Sequence, residues 1–370
     1  MRTLIISNPW DYHALVVDIG LRKLGVNVDW WRRSDYPRNE LLSIHQRGRS
    51  PALKAKHSDI NIKINRYSAV WNRRGGEATC ADSIHPSDKL VVITESNQVL
   101  ASTHNLLESR NPKALLVNSR RSKLFADQKI IQLDIAKKVG FNIPDTLTSN
   151  DPDEINKFAR TFKNGIIGKL AFPFSWYNTK GNAALIYTTR IPKSMLRRTG
   201  ILKKCPMIYQ ECLEIDFEVR IIGFGTNFFA IKRSRVKKQS DNVTDVRDEY
   251  DTPSQIFVLP RRLEECCKNY MDAMDLNFAA FDVAHLRSGK YIFLEANESG
   301  QFLFLEHEHP ELPILDAFCK YLGEGNKQMQ YCTKGRILHL SEISESEVLQ
   351  KCLKVGGKSY SPSKFAILES

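Results

Sequence analysis

The chain lacks most of the signatures that settle a chemistry on their own. Its eight cysteines form no CxxC pair and no zinc-ligand spacing, and Cys266 and Cys267 cannot readily bridge to each other, so reduced structural thiols are expected. No apolar run approaches the roughly 20 residues needed to span a bilayer. The opening MRTLIISNPW is too short in its apolar part for a signal peptide and reads as a first buried strand, which places the protein in the cytoplasm with no membrane partner. There is no internal repeat and no zinc-finger, RNP or helix-turn-helix signature. Acid is also short: 54 Lys and Arg stand against 42 Asp and Glu, a net charge of +12. That excess attracts polyanions without choosing among nucleic acid, nucleotides and acidic peptides. With the basic residues scattered, a dedicated nucleic-acid partner is not expected.

What remains is an ordinary globular composition, 42% hydrophobic and 26% charged, over 370 residues, more than one compact core normally uses. Residues 1–119 read as an N-terminal α/β unit: the strand LIISNP, the helix ALVVDIGLRKLG stopping at Gly25, and the strand VNVDWW. This β-α-β opening implies a parallel sheet. The stretch from Asp35 to Asp59 reads as a loop or mobile helix. A strand ending near Trp71 then delivers Asn72, Arg73 and Arg74 ahead of Gly75-Gly76, where they either hold an anion or sit as solvated loop charges, the latter slightly favoured from sequence alone. Residues 120–205 read as a second unit, with one helix from Ala126 to Val139 that carries Lys129 near its start, a helix from Asp151, the strand GIIGKL ending in Lys169, and a basic helix SMLRRTGILKK. Residues 206–325 form a third unit: a strand from Met207 running into a linker, a hairpin turning at Gly225-Thr226, a helix EECCKNYMDAMDL and a second hairpin. Residues 326–370 read as a tail, with one helix from Ser341 to Val355 and loosely held final residues.

The second hairpin carries the chemistry. In YIFLEANESGQFLFLE, Glu295 and Asn297 are two apart and project from one face of a strand. Thirteen residues before Glu295, Asp282 lies in the run NFAAFDVAHL, and a turn at Ser288-Gly289 lets the two runs pair. Acids at strand ends are also common on solvated surfaces. As a set, though, hard oxygen ligands without Cys or His suit Mg²⁺ held through carboxylates and the phosphates of a nucleotide. The order of parts supports that reading: a helix lysine (Lys129), a strand lysine forty residues later (Lys169), Gln210-Glu211 at a strand exit, an acid-x-Arg strand (Glu218, Arg220), then Asp282 and Glu295-x-Asn297. Lysines neutralise phosphates, and a linker backbone can hydrogen-bond adenine.

This ordered set resembles the ATP-grasp superfamily over roughly residues 120 to 325. The resemblance implies an α/β (α+β) fold in which an N-terminal pre-ATP-grasp domain precedes two subdomains that clamp ATP. It implies that Lys129 and Lys169 bind phosphate, that Gln210, Glu211, Cys212 and Leu213 form the adenine-contacting linker with Glu211 the acceptor for the amino group, and that Asp282, Glu295 and Asn297 bind Mg²⁺. Arg220 matches the arginine of the family's Asp-x-Arg; here the acid is Glu218. The segments VWNRRGGE, IPDT, TDVR (Asp245 to Arg247) and ESGQFLFLE are similar to the graspetide synthetases, microviridin-type peptide maturases. That likeness implies ω-ester or ω-amide macrocyclisation of a ribosomal precursor peptide with leader and core, by a homodimer. Arg220 and Arg247 would then attend the acyl phosphate, Asp245 or Glu218 would accept a proton, and Trp176 to Lys204 would be a candidate leader-docking stretch. The rivals are a ligase adding a free amino acid to a peptide or protein carboxylate, and a basic nucleic-acid binder with a vestigial ATP site.

Overall fold

A computed structural model describes residues 1–8, 10–46, 52–56, 66–171, 175–177, 183–185, 188–234 and 253–355. At the N-terminus four parallel strands lie in the order Asn27–Trp31, Arg2–Ser7, Ala69–Arg74, Leu115–Val117. Strand alternation gives the sheet two apolar faces. Leu4, Ile6 and Val70 pack with Leu100 and Leu107 of the helix Lys89–Arg110 on one side; Ile5 and Trp71 join a second core on the other. The helix Tyr12–Lys23 on that second side starts at Asp11, whose carboxylate accepts from the Ala14 amide, and ends before Gly25 at φ 75°.

The second core is shared with the far end of the chain. Phe302, Phe318, Leu340, Ile343, Leu349 and Leu353 are buried in it with Val16, Leu21 and Trp71. Phe318, in the helix Ile314–Glu324, meets Trp71, Phe224, Phe278 and Phe302 at ring-centroid distances of 4.9 to 5.8 Å, mostly edge to face.

Beside two small two-stranded sheets, two larger antiparallel sheets follow among the described residues. One has the order Thr189–Arg190, Ile166–Lys169, Met207–Glu211, Thr146–Ser149, and packs Ile166 and Tyr209 against Ile155 of the helix Pro152–Thr161. The other, in the order Ser254–Ile256, Asn227–Ser234, Ile215–Phe224, Phe278–Leu286, Tyr291–Asn297, packs on the helices Lys129–Lys138 and Arg261–Ala273. The turns expected at Gly225 and Gly289 are present, both glycines having positive φ.

Several elements differ from expectation. The stretch from Asp35 onward contains an antiparallel hairpin, Leu41–His45 with Ala52–Lys56, because cross-strand pairing overrides the weak strand propensity of ALKAK. The helix expected from Ala126 to Val139 is two helices, Arg120–Ala126 and Lys129–Lys138. The buried Gln132 amide donates to the Ala126 carbonyl at 2.6 Å, which satisfies the first helix's end and breaks the run. The basic helix is two short turns, Lys193–Leu196 and Thr199–Leu202. The C-terminal helix is split into Leu340–Ser344 and Glu347–Val355, where Ser346 Oγ accepts from the Leu349 amide as a new cap. All eight cysteines are free. Among the described residues no helix is long and apolar enough to cross a membrane.

Because Phe318 is fully buried and joins the N-terminal sheet to the C-terminal helices, Phe318→Ala is expected to lower stability by about 3–5 kcal/mol. Urea unfolding followed by circular dichroism checks this; a midpoint within error of the parent contradicts it.

Candidate active site

The hairpin Phe278–Leu286/Tyr291–Asn297 puts Asp282 directly opposite Glu295, and Ala280 opposite Asn297. One strand further, Arg220 lies opposite Asp282. The three sequence-predicted metal ligands therefore share one patch of sheet, with Asn297 Nδ2 donating to Glu295 Oε1 at 3.3 Å. Each carboxylate is balanced by a cation. Arg220 Nη1 donates to both oxygens of Asp282 at 2.9 Å, and Lys129 Nζ lies 2.5 Å from Glu295 Oε2. Lys129 is the first residue of its helix, and Gln132, one turn on, donates to the Ala296 carbonyl and accepts from the Ala296 amide. That two-way bond fixes the helix against the metal-ligand strand and so sets Lys129 beside Glu295.

Lys169 ends its strand opposite Ile208, and Gln210 and Glu211 pair with Ile167 and Ile166 on the same two strands. The Cys212 amide donates to the Gly165 carbonyl, after which Leu213 leads into the strand Ile215–Phe224 of the other sheet. The chain thus crosses between sheets at the predicted adenine linker. Two side chains there are engaged within the protein: Gln210 is buried and donates to Thr146 Oγ1, and Glu211 Oε1 accepts from the Asp145 amide. Glu218 sits two residues before Arg220 on the same face of its strand, opposite Ala284. Asp245 and Arg247 lie outside the described residues, and of the Trp176 to Lys204 stretch residues 176–177, 183–185 and 188–204 are described.

The turn after the predicted metal-ligand strand is held by four side chains, of which sequence reasoning did not single out Asn118 and Lys123. Four side chains donate to four consecutive residues: Asn118 to the Glu298 carbonyl (2.9 Å), Lys123 to Ser299 Oγ (2.5 Å), Arg73 to the Gly300 carbonyl (3.2 Å) and Arg220 to the Gln301 carbonyl (3.0 Å). Gly300 is required there, since a Cβ would come 2.4 Å from the Ala280 Cβ and 2.8 Å from Arg220 Nη2. Lys123 also donates to the carbonyls of Asn72 and Arg73. Arg73 is therefore no solvated loop charge: it is the strand's next-to-last residue, 1% exposed, with Asp11 3.4 Å from its Nε. The reading of Asn72 and Arg73 as exposed fails because the strand continues to Arg74 under the turn. Nothing in the periodicity of SRRSKLFA marks Lys123 as half-buried.

The donors offered by Asp282, Glu295 and Asn297 are all oxygens, on adjacent strands, a set that fits Mg²⁺ in company with phosphate and water. Among the described residues no group of three His, Cys, Asp or Glu is placed to hold a metal, as expected for a set of two carboxylates and one amide.

No protein-family model and no curated protein sequence matches the chain. Solved structures do. The macrocyclase MdnC from Microcystis aeruginosa MRC, bound with precursor peptide MdnA, is 24% identical with a TM-score of 0.75, over 88% of this chain and 100% of that one. The fold is the ATP-grasp fold. A Chryseobacterium gregarium RiPP-associated ATP-grasp ligase, in complex with ADP and a leader and core peptide, is 22% identical with a TM-score of 0.79 over 91% and 99% of the two chains. The ATP-grasp ligase PsnB, complexed with minimal precursor, Mg and ADP, is 19% identical with a TM-score of 0.67 over 87% and 96%. The Cys212-Leu213 crossing joins the two larger antiparallel sheets of that fold.

Burial pulls the Lys123 ammonium down to about 8. An unfolded lysine titrates near 10.5, so between the two values the unfolded chain binds more protons, and the stability owed to Lys123 rises with pH across that window. The stability gap between the parent and Lys123→Met is expected to widen from about pH 7 to about pH 10 in urea titrations; a gap that is flat or narrows contradicts the assignment.

Proposed function

We propose that the protein is an ATP-dependent peptide macrocyclase of the graspetide type, joining Asp or Glu side chains of a ribosomal precursor to its Ser, Thr or Lys side chains. The observation that carries the reading is the register that sets Asp282 against Glu295, with Arg220 and Lys129 each already paired to one of them, beside the crossing between two ATP-grasp lobes. Likeness to MdnC, the Chryseobacterium ligase and PsnB, all solved with precursor peptides, supports the substrate class. In this reading residues 1–119 form the pre-ATP-grasp domain, residues 120–205 and 206–325 close on the nucleotide, and residues 326–370 are a C-terminal segment whose Leu340, Ile343, Leu349 and Leu353 pack into the core shared with the N-terminal sheet. The enzyme works in the cytoplasm as a homodimer.

A carboxylate is a poor acylating agent because oxide would have to leave. One oxygen of the peptide carboxylate attacks the γ-phosphorus of ATP and ADP departs, giving an acyl phosphate. A hydroxyl or amine then attacks the acyl carbon, and phosphate leaves with the bonding electrons as the nucleophile gives up its proton. Lys129 and Lys169 hold the phosphates, and the backbone from Gln210 to Leu213 holds the adenine. Glu211 accepts from its amino group once the carboxylate releases the Asp145 amide. Asp282, Glu295 and Asn297 would hold Mg²⁺, which would supply charge neutralisation at the phosphates. Arg220, paired with Asp282 in the structure, takes the acyl phosphate with Arg247, and Glu218 or Asp245 receives the proton. No enzyme nucleophile is required.

With its precursor, ATP and magnesium, the enzyme is expected to remove one water mass per ring while releasing ADP, and Glu295→Gln is expected to slow this on the order of a hundredfold or more. Mass spectrometry of the peptide decides. Unaltered dehydration by Glu295→Gln removes that residue from the site, and a mass gain in place of a loss favours the amino-acid ligase.

A further inference from the structure

Lys123 holds the turn after the predicted metal-ligand strand in a way that depends on its proton. An ammonium has three N–H donors and no acceptor. Here all three are used: on the Asn72 carbonyl at 2.9 Å, the Arg73 carbonyl at 2.8 Å and Ser299 Oγ at 2.5 Å, with Glu298 Oε1 3.5 Å away as the counter-charge. Asn72 and Arg73 lie near the end of the strand Ala69–Arg74, and Glu298 and Ser299 follow the strand Tyr291–Asn297, so one nitrogen joins the two strand ends. The helix that carries Lys123 is itself fixed. Ser119 Oγ accepts from the Ser122 amide, Ser122 Oγ donates to Asp275 at 2.9 Å, and the Arg120 amide donates to Glu108 at 2.8 Å. Lys123 is thus presented to the turn from a firm base.

A neutral amine could not make the same set. It has two donors, and its lone pair would face an oxygen, so one contact is lost and another turns repulsive. The charge is held against opposition. Burial is the largest influence and disfavours the ammonium, Glu298 favours it, and Arg73 and Arg74 disfavour it. His104, from the helix Lys89–Arg110, and Asp127, at the end of the helix that carries Lys123, are also within electrostatic reach. The balance leaves the ammonium at about 8, so its proton is lost in mildly alkaline solution. Glu298 directly follows Asn297, and Ser299 lies four residues after Glu295. What frees the turn therefore frees two of the three predicted metal ligands, whereas Asp282, on the neighbouring strand and paired with Arg220, keeps its place.

We propose that Lys123 is a positioning residue for the magnesium–nucleotide site and acts only as the ammonium, so that the proton it carries assembles the site from the far side of the turn. The inference rests on the ATP-ligase reading for what the site holds. Affinity for the magnesium–nucleotide complex then falls as pH rises through the value of the Lys123 ammonium, because only the protonated fraction presents Glu295 and Asn297 in place.

Binding reads this without turnover. The full chain is titrated by calorimetry with a non-hydrolysable ATP analogue already saturated with magnesium, and the parent, Lys123→Met and Lys123→Arg are compared at each pH so that titration of the nucleotide cancels. The parent is expected to bind on the order of tenfold more tightly than Lys123→Met at about pH 7 and only about twofold more tightly at about pH 9. Lys123→Arg, which stays charged across this window, is expected to hold a constant ratio to Lys123→Met. Because Lys123→Met could unfold, the parent is also read alone, in buffers of different ionisation heat at about pH 8, where binding is expected to take up about 0.4 of a proton. A parent-to-Met ratio that is flat across the window, as a merely structural lysine would give, or binding without proton uptake, overturns the inference and leaves the ligase reading in place. A parent that binds no nucleotide at any pH overturns both.

Discussion

The turn from Glu298 to Gln301 is held by four side chains from four different segments, and the rest of the active site depends on that clamp. The strand before it carries Glu295 and Asn297, and a strand end is only as well placed as the turn that terminates it. Asn118, Lys123 and Arg73 come from the N-terminal unit and its first connecting helix, whereas Arg220 comes from the neighbouring strand. The N-terminal sheet is therefore no passive appendage. Its strand ends deliver Arg73 and lead into Asn118, two of the four donors that fix where the predicted metal ligands sit, and Gly300 lets the backbones approach closely enough for the bonds to form.

The electrostatics follow from that arrangement. Asp282 and Glu295 face one another across a strand pair, an unfavourable juxtaposition of like charges unless each has a cation. Arg220 and Lys129 meet that need in the absence of nucleotide. In the proposed function, metal and phosphate binding would let both cations turn from carboxylates to phosphate oxygens, exchanging ion pairs instead of exposing bare charge.

Much of this was legible in the sequence because it depends on short-range rules. The alternation in YIFLEAN and the Ser288-Gly289 turn gave the hairpin, and the hairpin gave the pairing of Asp282 with Glu295. The parallel N-terminal sheet followed from one β-α-β opening. What escaped depends on contacts between distant segments. Arg73 reads as a surface charge until Gly300, 227 residues away, is seen to accept from it, and Lys123 reads as helix decoration until Ser299 closes over it. The break between the helices at Asp127-Gln128 was hidden for the same reason, since Gln132 caps from within a run that looks continuous. The hairpin Leu41–His45/Ala52–Lys56 was missed because pairing decided it over composition.

The central claim is that Asp282, Glu295 and Asn297 hold magnesium against a triphosphate whose charge Lys129 and Lys169 offset. The most direct test is a crystal structure with magnesium and a non-hydrolysable ATP analogue. The account predicts the metal on those three side chains, the adenine against the backbone from Gln210 to Leu213, and Lys129 moved from Glu295 onto phosphate. A nucleotide lodged elsewhere, or one bound with the Lys129–Glu295 and Arg220–Asp282 pairs both intact, would contradict it.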